Sequence, residues 1–239
     1  MLVFRAVIKR VIYGGLLVLC LNGQTYAQGA EVVLVGQEKS VEFNKIYELI
    51  LKDAGIQYEI LVVPMGRKRR MFVEGKILID CCTVPEWRSR PEEIANQTHS
   101  VPFYNSAEQY VFHKDKPIQI VSRKDLKNYR LSIVRGYFYR NERYFGEVIG
   151  AENTEQMIRL VAHKRVEIGI INPFDFKRLQ MEAPLPLRLD GVHEISPLSI
   201  RVHKNRPDLL ERINGVIEQY LARGYVEEIL GQAIERKTE

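Results

Sequence analysis

The stretch Leu61–Arg90 reads LVVPMGRKRRMFVEGKILIDCCTVPEWRSR, and it predicts a strand, a helix and a second strand. An apolar run ends at Pro64, a basic segment follows, Gly75 provides a turn, and a second apolar run, Ile77–Ile79, leads to Asp80. Ligand sites in open α/β sheets form at the carboxyl edge of the strands. The arginines that follow Asp80 therefore favour one wall of an anion-recognising cleft.

The residues before this stretch predict another strand–helix–strand unit. Glu31–Gly36 is a short apolar run suited to a buried parallel strand. Apolar residues then recur at helical spacing from Val41 to Ala54, Gly55 ends the helix, and Tyr58–Val63 is the next strand. Repeated units of this kind predict a mainly parallel sheet covered by helices.

The second half of the chain repeats the plan. Leu131–Val134 predicts a strand, Gly136 a strand-to-helix turn, and the aromatic-rich segment Tyr137–Phe145 a helix. Val166–Ile171 predicts a further short strand, and a pair of helices is expected after Pro207. The sequence therefore predicts two α/β lobes of similar plan.

The charge of the chain argues against nucleic acid as a partner. The 239 residues carry a net charge of +5, but residues 1–27 contain three cations and no acid, which leaves 5 − 3 = +2 for the rest. Nucleic-acid-binding domains have clustered basic faces with elements that read or stack bases. The sequence has no such pattern, so we expect no nucleic-acid partner.

The N-terminus has the pattern of a secretory signal. Basic residues precede an apolar run, Val11–Leu21, that is too short to cross a bilayer core of about 30 Å, and Ala27 suits cleavage. Cys20 would permit a lipid anchor, but Leu19 stands where such a signal has a small residue. We expect residues 1–27 to be a signal peptide and the mature chain to be exported.

Export would leave two adjacent cysteines, Cys81 and Cys82, in an oxidising compartment. A disulfide between neighbours closes a small ring and is uncommon, so we predict two thiols at the end of a strand, with the disulfide as the alternative. Two cysteines with no histidine spaced near them do not make a zinc site. No metal is expected.

In order and spacing, these pieces resemble the family 3 extracellular solute-binding proteins of bacteria, which have the type II periplasmic binding fold. In the first half the resemblance rests on NKIYELILKDAGIQYEILVVPMGRKRRMFVEGKILID and TVPEWRSR…SVPFY. In the second half it rests on VRGYFYRNERYF, NTEQMIRLVAHKRVEIGIINPFDFKRL and PLSIRVHKNRPDLLERINGVIEQYLARGYVEEIL. It extends from about Val32 to Leu230.

The resemblance implies an α/β protein of two lobes, each a mainly parallel sheet flanked by helices. Lobe 1 would comprise residues 28–113 and 200–239, and lobe 2 residues 114–199. Two hinge strands would cross between the lobes near Val111–Lys114 and Ser199–His203, and the lobes would close on a ligand.

The resemblance also implies which residues bind the ligand. Arg88 best matches an arginine that holds a ligand carboxylate through two parallel charge-assisted bonds, and Arg67 is similar to another arginine of the family. Gly136 and Tyr137 match a helix start whose backbone N–H groups favour anions. The other basic residues near Arg67, namely Lys68, Arg69 and Arg70, are expected to be solvated.

Tyrosines are expected to add stacking and hydroxyl hydrogen bonds, and the candidates are Tyr104, Tyr137 and Tyr139. Asn172 is a further candidate, because it stands where an aspartate of the family often holds a ligand ammonium. An amide cannot supply that charge, which leaves neutral or purely anionic solutes open. Glu38 is a possible substitute for the missing charge.

Two other departures from the family pattern concern the first lobe. The loop Gly36–Val41 is short and lacks the aromatic residue that often stacks on the ligand. The interval from Asp80 to Arg88 is compressed relative to the family pattern.

We therefore expect a periplasmic solute-binding protein that captures a small polar solute, amino acid or organic acid-like, for an ABC importer. We expect a monomer with a membrane permease or a sensor as partner, and with no cofactor and no catalytic residue. Two alternatives stay open. One is a ligand-sensing or scaffold protein with a degenerate cleft, and the other is a lyase or dehydratase, which would need a poised acid or base in the cleft.

Overall fold

The structure is a computed structural model that describes residues 32–37 and 43–235. The expected signal peptide, Cys20 and Glu38 lie outside these ranges. Within them, no helix has the length and the apolar character needed to cross a membrane.

Strands and helices alternate along most of the chain. The strands are β1 (Val33–Gln37), β2 (Tyr58–Val62), β3 (Ile79–Thr83), β4 (Gln97–His99), β5 (Tyr104–His113), β6 (Leu131–Val134), β7 (Val148–Ala151), β8 (Ile168–Ile171) and β9 (Leu187–His203). The helices are α1 (Asn44–Asp53), α2 (Met65–Val73), α3 (Pro91–Ile94), α4 (Thr154–Ala162), α5 (Pro173–Glu182), α6 (Pro207–Ala222) and α7 (Tyr225–Glu235). Short 3-10 turns cover Pro85–Trp87, Arg123–Asn128 and Glu142–Tyr144.

The strands form a mixed sheet in the order β2-β1-β3-β9-β5-β8-β6-β7, and β4 pairs with β9 outside that path. Both ends of the sheet are parallel, because β1 pairs with β2 and β3, and β6 pairs with β7 and β8. The middle is antiparallel, because β9 pairs with β3 and β5, and β5 pairs with β8. The expected α/β plan with two mainly parallel halves is confirmed.

Local sequence explains why the helices form where they do. Ile46 and Ile50 lie one turn apart on α1 and are fully buried, which is the apolar stripe of a helix that covers a sheet. Asn153 begins α4 by accepting a hydrogen bond from the backbone N–H of Gln156. Pro207 occupies the first turn of α6, where its missing N–H costs nothing.

Separate groups of buried apolar side chains pack at the two ends of the sheet. The first group includes residues of β1, α1, β3, α6 and α7, together with Phe103 and Leu198. A second group includes residues of α4 and β8, together with Val111 and Leu187. Strands β5 and β9 therefore pass from one group to the other and join the two halves.

A buried carboxylate, Asp80 of β3, forms ion pairs with helix α2 and with the neighbouring strand β9. Its Oδ1 lies 2.7 Å from Nζ of Lys68 and its Oδ2 lies 2.6 Å from Nη2 of Arg201, and all three side chains are buried. Burial alone would raise the pKa of Asp80, but the charges of Lys68 and Arg201 outweigh it and lower that pKa to about 2.

The expectation that Lys68 and Arg69 are solvated is wrong. Lys68 shares the buried face of α2 with Phe72, four residues on, and its stem packs against Gly36, where an added Cβ would lie 2.9 Å from Cδ of Lys68. Arg69 donates from Nε to Oε1 of Glu93 at 2.7 Å. Arg70 is exposed, as expected.

Replacing Asp80 with Asn should lower the free energy of unfolding by about 3–5 kcal/mol, because the buried cations Lys68 and Arg201 lose the negative charge nearest to them. Denaturant unfolding followed by circular dichroism near neutral pH measures this. The stabilisation should be present above the ordinary pKa of 3.8 and be lost as the pH falls towards the folded pKa of about 2.

The matched control is Glu74→Gln, since Glu74 pairs with Lys76 at the surface. That change should leave the free energy of unfolding almost unaltered, because the pair lies in solvent. An equally small effect of Asp80→Asn would contradict the central role of this carboxylate.

Candidate functional site

A cavity of about 120 Å³ lies where the two halves of the sheet meet. This volume has room for on the order of ten water-sized groups, which suits a compact solute. One side, here called the first wall, consists of Phe43, Met65, Cys81, Cys82, Trp87 and Arg88. The second wall includes Ser106, Glu108, Asn172, Asp175, His193 and Glu194, together with Tyr137, Phe138 and Tyr139 from the loop after β6.

Arg88 contributes a positive charge to the first wall. Only 3% of its surface is exposed, Nη1 donates to the carbonyl oxygen of Trp87 at 3.1 Å, and Nη2 lies 3.3 Å from Sδ of Met65. Its carbonyl oxygen accepts from Gln97 at 3.0 Å, which holds the backbone in place. A thioether is a weak acceptor, whereas a carboxylate would form charge-assisted bonds with the same guanidinium. Arg88 therefore lines the cavity as the sequence predicts, despite the compressed interval after Asp80.

The two cysteines form a disulfide, so the prediction of free thiols is wrong. Cys81 and Cys82 are joined through their Sγ atoms, and the peptide bond between them is cis. They lie near the end of β3, as predicted, and both line the first wall. The disulfide adds a compact apolar surface beside Arg88.

Three of the residues predicted to bind ligand, Arg67, Tyr104 and Gly136, do not line the cavity. Arg67 is exposed on α2. Tyr104 packs in a group of three rings, with centroids 5.6 Å from Phe43 and 6.1 Å from Phe174. In this group it is Phe43 that reaches the cavity. Phe43 follows the short loop that lacks the family aromatic, and its nearness to that loop is the signal that sequence reasoning missed.

The helix predicted after Gly136 is absent, and with it the predicted helix start. Gly136 adopts a φ of 86° and Asn141 a φ of 63°, which interrupt a right-handed helix. The N–H of Tyr137 donates to the carbonyl of Val134, and the hydroxyl of Tyr139 accepts from the N–H of Val134 at 2.9 Å. Local hydrogen bonds therefore replace the helix with a loop.

This loop still brings two of its three predicted residues to the cavity. Tyr137 and Tyr139 line the second wall. Gly136 does not itself line the cavity, but an added Cβ there would be 3.5 Å from Cγ of Met65 in the first wall. The backbone at Gly136 therefore lies close to the first wall.

Asn172 lines the cavity, but its amide is engaged in holding the fold. Its Oδ1 accepts from the N–H of Phe174 at 2.9 Å, which caps α5. Its Nδ2 donates to Oγ of Ser106 at 2.6 Å and to the carbonyl of Ala107 at 3.2 Å. Asn172 thus joins α5 to β5.

Three carboxyl groups of the second wall were missed from the sequence. Glu108 lies on β5, Glu194 lies directly opposite it on β9, and Asp175 lies in the first turn of α5. Glu194 accepts from Nε of Arg140 at 2.8 Å. Because the three residues are far apart in the chain, only the pairing of β5 with β9 and the position of α5 bring them together.

Two titratable groups in the second wall have shifted pKa values. Burial, followed by the charges of Asp175 and Glu194, raises the pKa of Glu108 from 4.5 to about 8, against a side-chain hydrogen bond with Asn172 that lowers it. Burial, followed by the charge of Arg123, lowers the pKa of His193 from 6.5 to about 4. Near neutral pH the imidazole is therefore uncharged, and Glu108 is mostly protonated while the cavity holds no cation.

The site thus offers a guanidinium on one wall and carboxyl groups on the other. Such an arrangement can hold a small molecule by both of its charged ends. In the described part of the chain, no cluster of three or more side chains forms a candidate metal site.

No protein-family model matches the chain. No curated protein matches it either. Solved structures do match the chain. The ligand-binding core of GluR0 in complex with L-glutamate aligns with a TM-score of 0.74 at 17% identity, over 86% of this chain and 99% of that one.

Two further solved structures align with the chain to a similar extent. A histidine kinase sensor domain with similarity to periplasmic binding proteins aligns with a TM-score of 0.72 at 13% identity, over 85% of this chain and 96% of that one. The amino acid ABC transporter substrate-binding protein AbpA from Streptococcus pneumoniae, bound to L-arginine, aligns with a TM-score of 0.71 at 14% identity, over 87% of this chain and 96% of that one. The chain has the two-lobed type II periplasmic binding fold. At these identities the likeness shows the fold alone.

The raised pKa of Glu108 predicts how stability depends on pH. Because the folded pKa exceeds the ordinary value of 4.5, ionising Glu108 costs the folded state more than the unfolded state, and wild-type stability falls between about pH 4.5 and 8. Glu108→Gln removes this loss. The free energy of unfolding of the variant, minus that of the wild type, should grow by at least about 1 kcal/mol across this window.

Denaturant unfolding at several pH values measures this difference. The matched control is Glu59→Gln, because Glu59 is an exposed residue of β2. The difference in free energy of unfolding between this variant and the wild type should not change with pH. A flat difference for Glu108→Gln as well would show that Glu108 ionises normally.

Proposed function

We propose that the chain is an exported solute-binding protein that captures one small polar solute between two lobes. The observation that carries this proposal is the cavity at the junction of the two halves, with Arg88 on one wall and carboxyl groups on the other. An arginine held by backbone contacts suits a carboxylate, and a mainly aromatic and apolar lining excludes water from the charged ends.

The lobe boundaries stay a prediction, with residues 28–113 and 200–239 in lobe 1 and residues 114–199 in lobe 2. We propose that β5 and β9 act as the hinge strands and that the lobes close on the solute. The close approach of Met65 to the backbone at Gly136 supports this, because Met65 lines the first wall and Gly136 precedes Tyr137 of the second.

We propose that the protein works in the periplasm as a monomer and delivers its solute to the permease of an ABC importer. AbpA, named as an amino acid ABC transporter component, supports this use of the fold. The histidine kinase sensor domain supports sensing as the alternative fate of the bound solute. In either case the chain itself is proposed to be non-catalytic.

One observation favours a second candidate, a lyase or dehydratase on the same scaffold. Glu108 faces the cavity with a raised pKa, which is the property of a general acid that works near neutral pH. Proton NMR of each solute that binds, before and after incubation with the protein, separates the two. A binding protein leaves the spectrum unchanged, and an enzyme does not.

A thermal-shift screen tests the capture of a solute. The screen uses the common amino acids and small organic acids with protein refolded after denaturation, so that no retained solute blocks the site. A compound at 100 times its Kd should stabilise the fold by about 2.7 kcal/mol. If no compound shifts the transition, solute capture loses its support.

Arg88 is the residue whose loss should matter most. Arg88→Ala should weaken binding of the compound found in the screen by about 2–5 kcal/mol, and Arg88→Lys should recover only part of it, because an ammonium lacks the two parallel donors. Isothermal titration calorimetry measures both. Arg67→Ala, an exposed arginine on α2, is the matched control and should change the affinity by less than about 0.5 kcal/mol. Unchanged affinity of both Arg88 variants would remove Arg88 from the site.

A further inference from the structure

The Cys81–Cys82 disulfide lies where β3 departs from regular pairing. The register of β3 against β9 shifts between Asp80 and Thr83. Within that interval the two cysteines stand opposite a single residue of β9, Ile200. Such a bulge re-aims side chains and is common next to functional sites. Both cysteines line the cavity, so the bulge forms part of the first wall.

The residues on either side of the disulfide are held in place. Asp80, which precedes it, is paired with the buried cations Lys68 and Arg201. Thr83, which follows it, accepts at its carbonyl oxygen from Oγ of Ser199 at 2.9 Å. A chemical change at the disulfide is therefore confined to the two cysteines and to the part of the wall that they form.

The two cysteines differ in how easily a small molecule reaches them. Cys81 is 8% exposed and belongs to the apolar core of the first half, whereas Cys82 is only partly buried. The cavity extends to the surface, because Tyr137 and Phe138 in its second wall are each more than a third exposed. A disulfide opens when a thiolate attacks one of its sulfurs, so access helps to set the rate. Cys82 is the cysteine that a small thiol reaches more easily.

The first wall also carries a positive charge. Arg88 lines the same cavity as the disulfide, and its guanidinium is always charged. A cation near a sulfur favours the thiolate over the thiol, which helps both the attacking sulfur and the sulfur that leaves. A positively charged, water-poor cleft also concentrates small anions. The cavity therefore favours thiols that carry a negative charge of their own.

We propose that the disulfide is a thiol–disulfide exchange site whose substrate is a small anionic thiol that enters the cavity. The thiolate attacks Sγ of Cys82 and forms a new S–S bond with it, while the bond to Sγ of Cys81 breaks. Cys81 leaves as a thiolate and takes up a proton from solvent. A second thiolate attacks the sulfur of the first, and Cys82 leaves and is protonated in the same way. Two small thiols are thereby oxidised to one small disulfide, and the protein disulfide is reduced to two thiols.

Three thiols of nearly equal size test the preference for negative charge. Mercaptoacetate is anionic, 2-mercaptoethanol is neutral and cysteamine is cationic. The folded protein is incubated with each thiol, the reaction is stopped with N-ethylmaleimide, and mass spectrometry measures the fraction of the peptide containing Cys81 and Cys82 that carries two alkyl groups. Each rate is divided by the rate for the same thiol with the chain unfolded in urea, which cancels the intrinsic reactivity of the thiol. This normalised rate should be at least about tenfold higher for mercaptoacetate than for cysteamine, with 2-mercaptoethanol between them.

Variants of Arg88 test the origin of this preference. Arg88→Gln should bring the normalised rates of mercaptoacetate and cysteamine close to each other, and Arg88→Lys should keep them apart because it keeps the charge. The matched control is Arg67→Ala, since Arg67 is an exposed arginine on α2, and it should behave as the wild type does. The melting transition of each variant shows whether it is folded, and the wild-type series stands without the variants.

Single-cysteine variants locate the sulfur that is attacked. In Cys81→Ser and in Cys82→Ser, the remaining thiol is incubated with the disulfide of mercaptoacetate, which drives the exchange in reverse. Mass spectrometry follows the mixed disulfide, and each rate is again divided by that of the unfolded chain. The thiol of Cys82, in Cys81→Ser, should react at least about tenfold faster than the thiol of Cys81, in Cys82→Ser.

A wild-type disulfide that resists all three thiols while the protein is folded would overturn this inference. Equal normalised rates for mercaptoacetate and cysteamine would do the same, as would an unchanged preference in folded Arg88→Gln or faster reaction at Cys81. The inference goes beyond the capture of a solute and does not depend on it. A protein that shifts with no compound in the thermal screen but shows the thiol preference keeps the exchange site, and one that captures a solute but resists thiols keeps only the proposed function.

Discussion

The antiparallel pairing of β5 with β9 is the constraint on which the rest of the structure depends. It is the junction between two parallel half-sheets, and its register brings Ser106 opposite Ser196 and Glu108 opposite Glu194. Helix α5 follows β8, which also pairs with β5, so Asp175 reaches the same place. The position of the cavity is therefore a consequence of how the two halves are joined, and one wall comes with each half.

Two partly or fully buried carboxyl groups show how charge is distributed around this junction. Asp80 lies between Lys68 and Arg201, and its pKa is lowered to about 2, so its charge is a fixed part of the fold. Glu108 faces Asp175 and Glu194, and its pKa is raised to about 8. A carboxylate with paired cations stabilises the structure, whereas ionising a carboxyl group among like charges destabilises it. Asp80 is therefore part of the scaffold, and Glu108 lines the cavity.

Much of the fold could be predicted from local patterns, because the apolar spacing of α1 and the short apolar run of β8 are properties of neighbouring residues. Arg88 was predicted as a ligand-binding residue through the resemblance to a family pattern, and it lines the cavity. The burial of Lys68 was missed, because it depends on Asp80 and on Arg201 far along the chain. The carboxyl groups of the second wall were missed for the same reason, since each reads as an ordinary surface residue until the strands pair.

The prediction of a helix after Gly136 failed for a different reason, because the side chain of Tyr139 accepts a hydrogen bond from the backbone N–H of Val134 and the segment forms a loop instead.

The central claim is that a solute binds between both walls, and hydrogen exchange measured by mass spectrometry with and without a bound amino acid tests it most directly. The account predicts slower exchange on binding in residues 81–88 of the first wall and also in residues 137–139 and 172–175 of the second. Protection confined to one wall, or found elsewhere, would contradict it.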